Sequence, residues 1–154
     1  MTEPAQLNRD GIAARIPHSG RMVLLDAVVE WDEERIVCIA TSHRDPHNPL
    51  AVRGRLAAIC AIEYAAQAMA VHGGLLAPAD AAAQRPRSGF LASLRGVRIE
   101  VGRLDDIAGA LVIQATRLSG DDARVLYSFS VGAGDRILVT GRAAVVLDAD
   151  ALMR

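Results

Sequence analysis

The stretch that decides the fold is LAAICAIEYAAQAMAV, residues 56–71, in which Glu63 is the only formal charge. Alanine, leucine, isoleucine and methionine favour a helix, and a helix that is apolar on nearly every side belongs in the interior of a domain. We therefore predict one long buried helix over residues 56 to about 76, with Gly73 and Gly74 as its stop signal.

Apolar runs rich in β-branched residues surround this helix and predict strands. Short turns separate most of them: WDEE, LDDIAG, SGDDA and GAGD, which have the Asp and Gly content of antiparallel hairpins. The sequence therefore predicts an α+β fold in which an antiparallel sheet is wrapped around one long central helix. The predicted strands are residues 21–30, 35–42, 89–101, 110–118, 125–131 and 137–147.

Composition limits the class of protein. The chain has 154 residues, 51% of them hydrophobic, and a formal net charge of -1. This predicts one domain over residues 1–154 with a core at about 16–147 and poorly ordered ends at 1–10 and 150–154. A nucleic-acid surface is not expected without a basic excess. The apolar run is short for a membrane span and the N-terminus lacks a signal peptide, so we expect a cytoplasmic protein.

The chain also lacks the common cofactor and nucleophile motifs. All seventeen basic residues are arginine, which excludes lysine Schiff-base chemistry. Cys38 and Cys60 have no spacing suited to zinc and are expected to be reduced core residues. We therefore expect neither a metal nor a bound cofactor.

Glu63 is the leading candidate for chemistry, because burial of a carboxylate among apolar neighbours favours its protonated form and suits it to proton transfer. Gln67 lies four residues later, on the same helix face, and is expected to orient the carboxyl. The alternative is a carboxylate that reaches the surface or pairs with a buried arginine.

Histidines precede this helix in the loop HRDPHNPLAVRG. His43 and His47 are candidate general bases, since loops on a rigid scaffold often carry such groups, although each also fits a solvated turn residue. Asn48 is a candidate substrate-binding residue or an ordinary turn residue. His18, in IPHSGRM, and His72 are expected to be structural.

Four strings in order carry a family resemblance: IPHSGRMVLLDAVVEWD, IEYAAQAMAVHG, GFLASLRGVRIE and GDRILVTGRAAVVL. They span residues 16–147 and resemble the hotdog-fold 3-hydroxyacyl (acyl carrier protein) dehydratases, most closely the aryl-polyene-type branch. The resemblance implies a homodimer or higher homo-oligomer. In it the helix carboxylate of one subunit, Glu63, faces a loop histidine, His47 or His43, of another subunit. The loop departs from the family's His-Phe-Pro and Pro-Gly strings.

The resemblance also implies the reaction. A histidine removes a proton from C2 of a 3-hydroxyacyl thioester and Glu63 protonates the departing hydroxyl, without a metal or nucleotide. The substrate's pantetheine arm comes from acyl carrier protein or CoA. Gln67 and Asn48 are expected at the substrate, and Ala58 stands where the family has a small residue. The acyl chain is expected along the small side chains Ala61, Ala65, Ala66 and Ala70.

Two alternatives remain open on the sequence. Other hotdog proteins hydrolyse acyl thioesters with the same helix carboxylate, which needs Glu63 but no histidine. A catalytically silent hotdog subunit that binds acyl chains or pairs with an active partner is the third reading, and the altered loop is compatible with it.

Overall fold

The computed structural model describes residues 7–77, 90–121 and 123–146 of the chain. The helices are α1 (Arg9–Ala13) and α2 (Ala61–Leu76), and the strands are β1 (Ala27–Trp31), β2 (Arg35–Ala40), β3 (Phe90–Ile99), β4 (Leu111–Gly120), β5 (Arg124–Ala133) and β6 (Arg136–Val146). Short 3-10 turns occupy Gly20–Met22, Ser42–Arg44 and Ala58–Cys60. The predicted α+β class is confirmed.

The six strands form one antiparallel sheet in the order β1-β2-β4-β5-β6-β3. The hairpins predicted at WDEE, SGDDA and GAGD are present between β1 and β2, β4 and β5, and β5 and β6. The hairpin predicted at LDDIAG is wrong, because β3 pairs with β6 at one edge of the sheet while β4 pairs with β2 and β5. That segment instead connects the edge strand to the middle of the sheet.

Helix α2 packs against β2, β4 and β5. Tyr64, Ala65, Ala68 and Val71 recur at helical spacing and are fully buried, so they form the face that contacts the sheet. The segment Ala58–Leu76 has a mean hydropathy of 1.2, so by length and composition alone it is long and apolar enough to cross a membrane. The core helix of a folded domain meets the same criterion.

The start of this helix differs from the prediction, whereas its end at Leu76 agrees with it. The chain is not helical at Leu56, because its N–H donates to Asp105 Oδ1 and its carbonyl accepts from the Leu104 N–H. Gly74 lies inside the helix rather than after it. A Cβ at Gly74 would lie 3.1 Å from the Arg15 Cβ and 3.2 Å from the Arg15 carbonyl oxygen, so glycine allows the N-terminal segment to approach closely.

The N-terminal part of the core also differs from the prediction. Residues 7–10 belong to the fold: Leu7 pairs with Val28, and α1 begins at Arg9 with Asn8 as its N-cap. Residues 1–6 and 150–154, predicted to be poorly ordered, lie outside the described residues. The strand predicted over 21–30 begins only at Ala27, because side chains rather than a neighbouring strand bind the backbone at residues 22–24.

His72, which was expected to have no catalytic role, is fully buried in the core. Its Nε2 donates to the Asp32 carbonyl at 2.8 Å, so its Nδ1 accepts from the Tyr127 hydroxyl at 2.7 Å. This network satisfies the neutral ring, and burial lowers the pKa of His72 below its usual value.

We expect the free energy of unfolding to decrease as the pH falls below about 6.5, because an unfolded histidine gains a proton there while His72 in the fold resists protonation. Urea unfolding at about pH 5.5 and about pH 7.5 measures this dependence. The His72→Gln variant should show a smaller pH dependence, and His47→Gln, at an exposed position, serves as the control. An undiminished dependence in His72→Gln contradicts the assignment.

Candidate active site

Glu63 lies in the first turn of α2, on the side of the helix that faces away from the sheet. Its side chain is 37% exposed in this chain, so the predicted sequestration is wrong for a single subunit. Glu63 is exposed because the sheet covers only the helix face that contains Tyr64 and Ala65. Ala66 and Ala70, three and seven residues after Glu63, are half-buried on its own face.

His18 is the histidine that the structure brings to Glu63. His18 Nε2 lies 3.2 Å from Glu63 Oε1, and the His18 side chain is 27% exposed. His18 Nδ1 is buried and has no hydrogen-bond partner among the described residues. Nε2 is therefore the ring nitrogen through which His18 contacts the carboxylate. His18 was expected to be a structural residue, and its contact with Glu63 makes it a catalytic candidate.

Gln67 positions the segment that carries His18. Its Oε1 accepts from the Leu24 N–H at 2.9 Å and its Nε2 donates to the Met22 carbonyl at 2.6 Å. Both polar groups of the buried amide are thus bound to backbone four and six residues after His18. The expected contact of Gln67 with the Glu63 carboxyl or with substrate is replaced by this double contact, which holds the His18 segment against α2.

The Gln67→Leu variant should lower the free energy of unfolding by roughly 2–4 kcal/mol, because one buried and one partly buried backbone group lose their partners. Urea unfolding measures the loss. Gln114→Leu, at a half-buried position on β4, is the matched control and should change stability far less. Equal effects of the two substitutions would show that the double contact contributes nothing specific.

The two loop histidines have different surroundings. His43 is buried, its Nε2 bonds to the Ile107 carbonyl at 3.0 Å, and burial lowers the pKa of its ring. Its Nδ1 is buried and has no hydrogen-bond partner among the described residues, so the ring is enclosed in this chain and its role as the base stays a prediction. His47 is exposed, and its backbone N–H donates to Asp45 Oδ1. Its role across a dimer interface stays a prediction.

Asn48 and Ala58, which were both expected at the substrate, are buried in this chain. Asn48 is buried, and its amide holds the loop: Nδ2 donates to the Ser42 carbonyl and the Tyr64 hydroxyl, and Oδ1 accepts from Leu50. Because these hydrogen bonds already use the Asn48 amide, they replace its expected contact with substrate. Ala58 is buried and its N–H donates to the Gly102 carbonyl, just before α2.

The small side chains also divide between the two faces of α2. Ala61 and Ala65 are fully buried, on the face that packs into the core, so they cannot line an acyl channel beside Glu63. Ala66 and Ala70 keep the position that the prediction requires. The described residues contain no cluster of three or more His, Cys, Asp or Glu side chains suited to a metal ion.

Comparisons with known proteins show the family and the fold. The sequence profile of the family described as ApeP-like, ApeP dehydratase, matches residues 11–153. No curated protein sequence matches the chain. The dehydratase heterocomplex ApeI:P from Xenorhabdus doucetiae contains a similar chain, with 27% identity, a TM-score of 0.79, and coverage of 92% of this chain and 94% of that one.

More distant structures share the fold. A thioesterase of Pseudomonas aeruginosa has 11% identity and a TM-score of 0.63, covering 95% of this chain and 97% of its own. A thioesterase of Haemophilus influenzae has 10% identity and a TM-score of 0.62, covering 95% and 94%. The antiparallel sheet with one long helix packed against it is therefore a hotdog fold.

Proposed function

The chain belongs to the ApeP-like dehydratase family, and from that premise we propose that it removes water from 3-hydroxyacyl thioesters with His18 and Glu63 of one chain as its acid–base pair. The observation that supports this assignment is the 3.2 Å contact between His18 Nε2 and Glu63 Oε1. It differs from the arrangement expected from the resemblance, in which the histidine comes from a loop of the other subunit.

The pair can balance the protons of a dehydration. His18 Nε2 takes the proton from C2, and protonated Glu63 gives its proton to the C3 hydroxyl, which leaves as water while the double bond forms between C2 and C3. The imidazolium then returns its proton to the Glu63 carboxylate across their direct contact. The pair holds one proton before and after each turnover, so no other proton donor is needed.

The helix face that carries Glu63 is also the proposed binding surface for the acyl chain of the substrate. The half-buried side chains Ala66 and Ala70 leave room for an acyl chain beside Glu63. The thioester carbonyl would lie near the N-terminal end of α2, where the helix dipole favours the negative charge that develops on an enolate oxygen. The substrate carries its own pantetheine arm, and the reaction needs no metal or nucleotide.

A second hotdog subunit completes the site in this proposal. Strand β3 is an edge strand, and residues 91–100 are exposed except for half-buried Val97. Its exposed apolar side chains, Leu91, Leu94 and Ile99, resemble an interface rather than a solvent face. The similar chain of Xenorhabdus doucetiae belongs to a heterocomplex. Here we propose a homodimer that joins two β3 strands and covers the half-exposed Glu63.

Leu94→Arg should convert this dimer to a monomer, because a charge would be buried in the apolar interface. Light scattering after gel filtration should change from twice 16.3 kDa to 16.3 kDa. Leu118→Arg, at an exposed position on β4, is the control, since β4 has strands on both sides. A wild-type chain that is monomeric, or a Leu94 variant that stays dimeric, contradicts this interface.

Product identity tests the reaction itself. The protein should convert a 3-hydroxyacyl thioester to the enoyl thioester and leave a saturated acyl thioester intact, as mass spectrometry of the products would show. Release of the free acid from either substrate would support thioester hydrolysis instead. Absence of both products with carrier-protein and CoA substrates would support a silent acyl-binding subunit.

A further inference from the structure

A polar cavity of about 310 Å³ lies beside the segment that carries His18. Its lining includes Arg21, from the 3-10 turn Gly20–Met22, and Arg44, from the loop before α2. Arg21 follows His18 by three residues, so their Cα atoms are at most ~11 Å apart. The cavity therefore lies close to the acid–base pair but does not include it.

The remaining charged groups of the cavity are already engaged. Arg9 donates to the Val23 carbonyl at 2.6 Å and lies 3.8 Å from Asp26, whose other oxygen accepts from the Thr41 hydroxyl at 2.6 Å. Asp45 accepts from the backbone N–H of His47. Both oxygens of Asp26 and one oxygen of Asp45 therefore already have partners in this chain.

Arg21 and Arg44 differ from these engaged groups. Among the described residues, neither guanidinium forms a hydrogen bond or an ion pair, and both are exposed at the cavity. Two guanidinium groups from different elements that line one cavity suit a phosphate group, because each can donate two parallel N–H bonds to its oxygens. A thioester of 4′-phosphopantetheine carries such a phosphate at the end of its arm opposite the thioester.

We propose that Arg21 and Arg44 bind the phosphate of the substrate's pantetheine arm, a specificity site separate from the His18–Glu63 pair. This rests on the proposed thioester substrate. The phosphate can belong to a carrier protein's arm or to CoA, and the chemistry that the two arginines recognise is the same for both.

Calorimetric binding of 4′-phosphopantetheine and of pantetheine to the full chain tests the site without turnover. The wild-type protein should bind the phosphorylated arm roughly ten- to a hundredfold more tightly. Arg21→Gln and Arg44→Gln should each reduce that ratio, and the double variant should bring it to about one. Arg124→Gln, at an exposed position on β5, should keep the wild-type ratio. A wild-type ratio near one, or a ratio that the double variant retains, overturns the site.

CoA distinguishes the two sources of the phosphate. Tighter binding of CoA than of 4′-phosphopantetheine, lost in the double variant, assigns the site to CoA thioesters, and equal binding assigns it to the arm of a carrier protein. A negative result for phosphate binding can be distinguished from a negative result for the proposed dehydration. If no enoyl product forms but the binding ratio depends on both arginines, the phosphate site stands and the dehydration does not.

Discussion

Glu63→Gln should lower the rate of enoyl thioester formation by roughly 10²- to 10⁴-fold, the usual contribution of a general acid or base. The amide keeps the shape of the side chain and can still contact His18, but it cannot release and regain a proton at the C3 hydroxyl. Because Glu63 is half-exposed, its replacement should change the free energy of unfolding by no more than about 0.5 kcal/mol.

The control is Glu30→Gln, which removes another partly exposed carboxylate that pairs with Arg35 on the neighbouring strand. Its rate should match that of the wild-type protein. Both rates are read from the enoyl product by mass spectrometry. A Glu63 variant that retains turnover places the chemistry elsewhere in the molecule.

His18→Gln should cause a loss of the same size, because no other imidazole among the described residues contacts Glu63. His47→Gln should retain the wild-type rate, since its exposed ring is not part of the proposed pair. The reversed result, an active His18 variant and an inactive His47 variant, would support a loop histidine that acts across the dimer interface. Steady-state rates with one 3-hydroxyacyl thioester separate the two outcomes.

Much of the fold follows from local sequence patterns. The apolar run around Glu63 forms helix α2, and the Asp- and Gly-rich turns after β4 and β5 form hairpins, because both features depend on neighbours in sequence. The crossover through LDDIAG could not be predicted, since a polar connection looks the same whether the strands that it joins are neighbours or lie apart in the sheet.

The site depends on contacts that are distant in sequence. Glu63 was identifiable as the single charge of an apolar helix, but its partner His18 is held there by Gln67, which binds the backbone at Met22 and Leu24. No local pattern shows which backbone groups a glutamine will bind. The available signal was the pair of polar residues one turn apart on α2, and its meaning required the position of the N-terminal segment.

Mixed dimers test most directly whether the acid and the base come from one chain. His18→Gln and Glu63→Gln chains with different tags can be co-expressed and purified as dimers that contain one of each. We predict that these mixed dimers are as inactive as either variant alone, because every pair lacks one of its two groups. Recovery of about half of the wild-type rate would mean that each site joins groups from both subunits, and would contradict the account.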